Sequence, residues 1–106
     1  MKCTMLELEL IDGSKIELTL NFARLLKVKN NNKKLYEEYM KALKGGNDFD
    51  IIFDSLKIIY VAYLCANSDK LGTDEVMSEE EFIEMAPSDM ELINTVTAEL
   101  IHPKKK

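Results

Sequence analysis

The sequence predicts an α+β domain, mainly α, in which an N-terminal β-hairpin packs on four to five helices around a long central apolar helix. Three observations predict it. Apolar and polar residues alternate on both sides of Asp12-Gly13, the sequence form of a hairpin. From Asp48 to Ala66 apolar residues fall on nearly every face of a helical wheel, the pattern of a helix buried on most sides. Elsewhere the apolar period is helical and is punctuated by caps, turns and prolines.

Taken in order, Leu6, Leu8 and Leu10 alternate with Glu7 and Glu9, and Ile16, Leu18 and Leu20 alternate with Lys15, Glu17 and Thr19. Side chains in a strand alternate faces, so all six apolar residues land on one side. A lone hairpin is marginal in water, and helices must cover that side. Asn21 is a candidate cap for a short helix with Phe22, Leu25 and Leu26 as its apolar stripe. Asn30-Asn31-Asn32 breaks the pattern, because Asn favours turns and caps over helix interiors. Two helices are therefore favoured over one bent one. The second carries Leu35, Tyr36, Tyr39, Met40 and Leu43 and ends at Gly45-Gly46, a left-handed C-cap signal.

The central helix places Phe49, Ile52, Phe53, Leu56, Tyr60, Tyr63 and Leu64 at helical spacing, with Ile51, Ile58, Ile59 and Val61 on its other faces. Asp69 to Met77 reads as a polar loop. Ser78-Glu79-Glu80-Glu81 is a capping box, with Met77 and Phe82 placed for a hydrophobic staple. That helix stops before Pro87. Ser88-Asp89-Met90-Glu91 reads as a second capping box, opening a helix with Met90, Ile93, Val96, Thr97, Leu100 and Ile101 on one face. Residues 1–102 are expected to form a single domain and residues 103–106 a flexible basic tail.

The 106 residues suffice for one core, with ~65% of the open chain's surface buried on folding. A net charge of −5 makes a poor phosphate-backbone binder, so no nucleic-acid partner is expected. The charge-free stretch Ile58 to Ala66 is far short of the ~20 apolar residues of a membrane span, and no membrane partner is expected. Glu7 and Glu9 interrupt any signal-peptide core at the N-terminus. Cys3 and Cys65 match no metal or redox spacing and are expected to be free thiols. Charge is uneven: residues 24–44 hold seven basic and two acidic side chains, and residues 67–91 hold nine acidic and one basic. Opposite lobes on one small body steer association, head-to-tail with copies of itself or with a charged partner; two solvated helical faces would look the same.

Candidate chemistry is thin. The single imidazole, His102, lies beside Pro103, and Cys65 sits in an apolar run, where a small buried hydrophobe is the ordinary explanation. Glu79, Glu80, Glu81 and Glu84 complement a helix N-terminus and need no shielded acid–base role. Asn67, Asp69 and Gly72 fall at the first, third and sixth positions of a calcium loop, but Leu71 and Ser78 stand where the fifth and twelfth ligands belong. Gly45-Gly46 precedes Asn47-Asp48, the wrong charge for a phosphate cradle. No catalytic residue, metal or cofactor is expected, and the chain is not expected to be an enzyme. Tyr36/Tyr39 and Tyr60/Tyr63, each at i,i+3, suit either a core or an interface.

With the wording Leu18-Thr19-Leu20-Asn21-Phe22-Ala23-Arg24-Leu25-Leu26 and Ile59-Tyr60-Val61-Ala62-Tyr63-Leu64-Cys65-Ala66, this order of elements resembles the tail assembly chaperones of long-tailed phages and prophages of Gram-positive bacteria, over roughly residues 5–101. The resemblance implies a protein of the host bacterial cytoplasm, absent from the mature virion. It would coat the tape measure protein, keep it soluble and help recruit the tail tube protein. Self-association is expected as well. Such a role needs an adaptable apolar surface, and Tyr36, Tyr39, Met77, Phe82, Met85 and Met90 are the candidate partner-binding residues. The rival reading is a small acidic inhibitor or immunity-type protein that plugs a basic partner through residues 69–91. The family often also makes a longer form by ribosomal frameshifting, and Lys104-Lys105-Lys106 suits a slippery site as well as it suits a solubilising tail. A slippery heptamer in those codons is the expected finding if a longer form exists, and DNA sequence at that point checks it.

Overall fold

A computed structural model describes residues 6–44 and 51–101 of the chain. The described part is mainly helical: a two-stranded antiparallel hairpin, β1 (Leu6–Glu9) and β2 (Lys15–Leu18), precedes five helices, α1 (Phe22–Asn31), α2 (Lys33–Lys44), α3 (Ile51–Ala66), α4 (Glu79–Met85) and α5 (Met90–Ile101). The expected α+β, mainly helical class is therefore observed. The Gly45-Gly46 cap, the proposed start at Asp48, Cys3, His102 and the lysine tail lie outside the described residues.

The hairpin forms as the alternation demands. Leu6 pairs with Leu18 and Leu8 with Ile16. Leu8, Leu10 and Leu18 are buried, and Leu6, Ile16 and Leu20 pack against the core from its edge. The turn is local chemistry: the Asp12 carboxylate accepts bonds from the Ser14 hydroxyl (2.7 Å) and amide (3.0 Å), and Gly13 takes φ +88°, which costs least without a Cβ. The hydroxyl bond from Ser14 lowers the Asp12 pKa. Two backbone bonds anchor the hairpin: Thr19 N–H donates to the Ala62 carbonyl of α3, and Ile11 N–H to the Met85 carbonyl of α4.

α3 is the beam. Its 16 residues span ~24 Å at ~1.5 Å each, and every residue from Ile58 to Cys65 is buried. The hairpin, α1, α2, α4 and α5 all pack against it. Asn21 caps α1 by accepting from the amides of Ala23 and Arg24. The Asn32 side chain accepts from the Leu35 amide at the start of α2, so the Asn-rich break separates two helices. The loop after α3 is tighter than a plain polar loop. It opens with a 3₁₀ turn, Ser68–Lys70, and continues through Gly72 at φ +79°, with the Thr73 hydroxyl donating to the Lys70 carbonyl at 2.6 Å.

The Ser78 box is present: its hydroxyl accepts from the Glu81 amide, and Glu81 accepts from the Ser78 amide. The second box is corrected by one residue. Asp89, not Ser88, caps α5 by accepting from the Leu92 amide, because a carboxylate meets both the orphan amide and the positive end of the helix dipole. Phe82 is fully buried, 5.4 Å from the Tyr60 ring and 6.1 Å from that of Tyr63. Phe82→Ala should lower stability by about 3–5 kcal/mol, read as a lower denaturant midpoint, whereas Ile59→Val should cost about 0.5–1.5 kcal/mol.

Candidate functional site

The six candidate partner-binding residues divide sharply by exposure. Tyr39 and Phe82 are core residues, at 3% and 0% exposure. Tyr39 lies on the face of α2 turned to α3, and Phe82 sits under the Tyr60–Tyr63 pair, so neither is presented to a partner in this fold. Met77 and Met85 pack half-buried against the same core. Tyr36 is half-buried, and Met90 alone of the six is largely exposed, at 63%.

Tyr60 and Tyr63 also belong inside. The Tyr60 hydroxyl donates to the Met77 carbonyl and the Met77 amide donates to the Tyr63 hydroxyl, both at 2.9 Å. Two side chains one turn apart thus grip a single loop residue and hold the entry to α4. Burial, reinforced by the Glu79 charge, pushes the Tyr60 hydroxyl up to about 12, and burial does the same to Tyr39. The Asn67 amide donates to the Tyr63 carbonyl at the end of α3, while Arg24 Nη1 donates to the carbonyls of Cys65 and Ala66. Side chains from a calcium-like spacing and from α1 therefore serve as C-terminal caps.

Lys57 joins three helices. Its ammonium lies 2.7 Å from Glu38 of α2 and 2.6 Å from Glu79 of α4. Desolvation works against the Lys57 charge, but the bonds to Glu38 and Glu79 outweigh it and raise its pKa; the hydrogen bond from Lys57 lowers that of Glu38. Among the described residues no group of three or more His, Cys, Asp or Glu side chains is placed to hold a metal ion. The shifted groups trace to burial, the hairpin turn and these ties.

Beside two larger, mostly polar depressions, one along Leu71 to Ser78 and one between α1 and the end of α3, the surface offers three apolar features. α2 is greasy on two adjacent faces: Leu35, Tyr39 and Ala42 point into the core, and Tyr36, Met40 and Leu43, each one position on, form an outer stripe at i, i+4, i+7. Lys29 covers one end of it, 5.4 Å over the Tyr36 ring. A second feature is a notch of about 220 Å³ between α3 and the start of α5, lined by Phe53, Leu56, Pro87, Met90 and Ile93 with Asp89 at its rim. A third is the start of α1, where Phe22 is 91% exposed and Leu26, one turn on, 55%.

Phe22 and Phe53 depart from expectation. The periodicity places Phe22 with Leu25 and Leu26 on the buried stripe of α1, but Val28 is the buried residue and Leu25 packs beside it. That choice turns Phe22 and Leu26 outward. Phe53, expected inside, is 56% exposed.

The Lys57 tie has a defined pH window. Glu38 has a lowered folded pKa, so its contribution is complete above its ordinary value of 4.5 and is lost as pH falls through the folded value. Lys57 has a raised one, so its contribution is complete below 10.5 and is lost as pH rises through the folded value. Lys57→Ala should cost about 1–2 kcal/mol at pH 7. The difference from the parent chain should shrink in denaturant melts near pH 3.

Comparison with known proteins finds no matching family model, curated protein or solved structure.

Proposed function

We propose that the chain is a non-enzymatic tail assembly chaperone. It binds and solubilises the tape measure protein of a long-tailed phage or prophage, helps recruit the tail tube protein, and acts in the host bacterial cytoplasm without entering the virion. The observation that carries this reading is the outer stripe of α2. Met40 and Leu43 are exposed and Tyr36 packs at the edge of the core, and the three lie in a row beside the buried face formed by Leu35, Tyr39 and Ala42. A three-residue row at i, i+4, i+7 suits an amphipathic helix laid alongside, as long helical clients provide. Unbranched Met40 lets the surface fit successive, non-identical segments of such a client.

The charged exterior serves the same role. Lys33, Lys41 and Lys44 are exposed on the same helix, which keeps an apolar stripe soluble between encounters. Co-production with the tape measure protein of a long-tailed phage should move that client into the soluble fraction. Met40→Asp/Leu43→Asp should weaken capture by about 10-fold or more; the two side chains are 38% and 37% exposed, so a melting curve of the variant separates lost capture from lost stability. A client equally insoluble with and without the parent chain, with no complex on co-purification, overturns the reading.

A further inference from the structure

We propose that the bond between Asp12 and Gly13 is a site of isoaspartate formation that the folded hairpin turn suppresses, with Ser14 holding the electrophile and the Leu10 carbonyl holding the nucleophile. The inference does not rest on the tape measure reading, since it concerns a reaction of this chain alone.

Asp12-Gly13 is the one place in the sequence where an Asp or Asn precedes a Gly. Having no side chain, Gly13 leaves its own amide nitrogen unshielded. That nitrogen can attack Cγ of the protonated Asp12 carboxyl. A bond forms between the two atoms, and the amide hydrogen and the carboxyl hydroxyl leave as water. The cyclic imide that results takes up water again at either of its carbonyls. Addition at Cγ restores aspartate. Addition at the main-chain carbonyl of Asp12 breaks its bond to the nitrogen, and the chain then runs through Cγ, lengthened by the Asp12 methylene. The water released equals the water consumed, and nothing is oxidised or reduced.

Burial does not protect this pair. Asp12, Gly13 and Ser14 are all exposed, and no atom lies within 4 Å of the place where a side chain on Gly13 would start. Both reacting groups are instead engaged elsewhere. The Gly13 N–H donates to the Leu10 carbonyl at 3.0 Å, and the Leu10 N–H donates to the Ser14 carbonyl at 2.7 Å. With Gly13 at φ +88°, this is a tight turn followed by a glycine bulge. Asp12 Oδ1 accepts from the Ser14 hydroxyl at 2.7 Å and from the Ser14 amide at 3.0 Å.

These bonds favour the carboxylate over the acid and lower the Asp12 pKa, whereas the acid is the form that reacts. Because the folded value is lowered, this part of the protection is complete above the ordinary value of 3.8 and is lost as pH falls through the folded one. Ile11, in the same loop, donates its N–H to the Met85 carbonyl of α4, so opening the turn also disturbs its tie to α4. Isomerisation therefore marks molecules whose hairpin has opened.

Incubation of the full chain at mildly acidic pH, followed by peptide mapping that separates isoaspartyl from aspartyl fragments, tests this. In urea the parent chain should accumulate isoaspartate at Asp12. Folded, it should do so at least about 10-fold more slowly, the ratio reflecting how seldom the turn opens. Ser14→Ala removes an exposed hydroxyl and keeps the backbone amide. Folded, that variant should isomerise about 2- to 10-fold faster than the parent, as for loss of one hydrogen bond. In urea, where the turn is gone, the two chains should react at the same rate. Equal rates for the folded and the urea-treated parent overturn the inference. So does a folded Ser14→Ala chain that isomerises like the parent, or an Asp12 that stays unmodified in urea.

Discussion

From Ile58 to Cys65 no side of α3 is left to water, and a helix of that kind is stable only if other elements supply walls all the way round. The sheet cannot do so alone, since two strands of four residues are marginal in isolation. Helices cannot replace it either, because Leu8, Leu10 and Leu18 need a partner as much as α3 does. The hairpin and the helices are therefore mutually dependent. The two backbone bonds from Thr19 and Ile11 to α3 and α4 fix how the hairpin lies on both, so the apolar side of the hairpin and the sides of α3 close on one another as a unit.

Features set by neighbours in the chain are legible in the sequence. The hairpin register follows from a period of two around Asp12-Gly13, and the Ser78–Glu81 box from residues three apart. The break at Asn32 is equally local, since its side chain satisfies the amide of Leu35. Features that depend on how a helix is rotated about its axis are not legible there. Tyr36 and Tyr39 are both aromatic and one turn apart, and only the packing of α2 on α3 decides that Tyr39 goes in and Tyr36 stays at the edge. The same rotation, acting through Leu25 and Val28, expels Phe22 from the stripe to which its spacing assigns it. Met77, Phe82 and Met85 pack on the core, and Phe82 and Met77 are the ones that meet Tyr60 and Tyr63.

Electrostatics divides the molecule and also joins it. The basic residues gather on α1 and α2 and the acidic ones on the loop and α4, two regions of opposite sign on one small body. Lys57 stands at their junction and reaches acidic groups on both sides. A single half-buried ammonium thus ties α2 and α4 to α3. The remaining charges are left on the outside, where they bias which surfaces of two molecules approach each other first.

Cys65 gives the fold an internal reporter. Its thiol is completely enclosed, and burial pushes its pKa up to about 11, so at neutral pH it is neither reachable by an alkylating reagent nor ionised to react with one. Modification at this position requires that the end of α3 part from its surroundings. The rate of labelling at Cys65 is thus a clock for the opening of the end of α3.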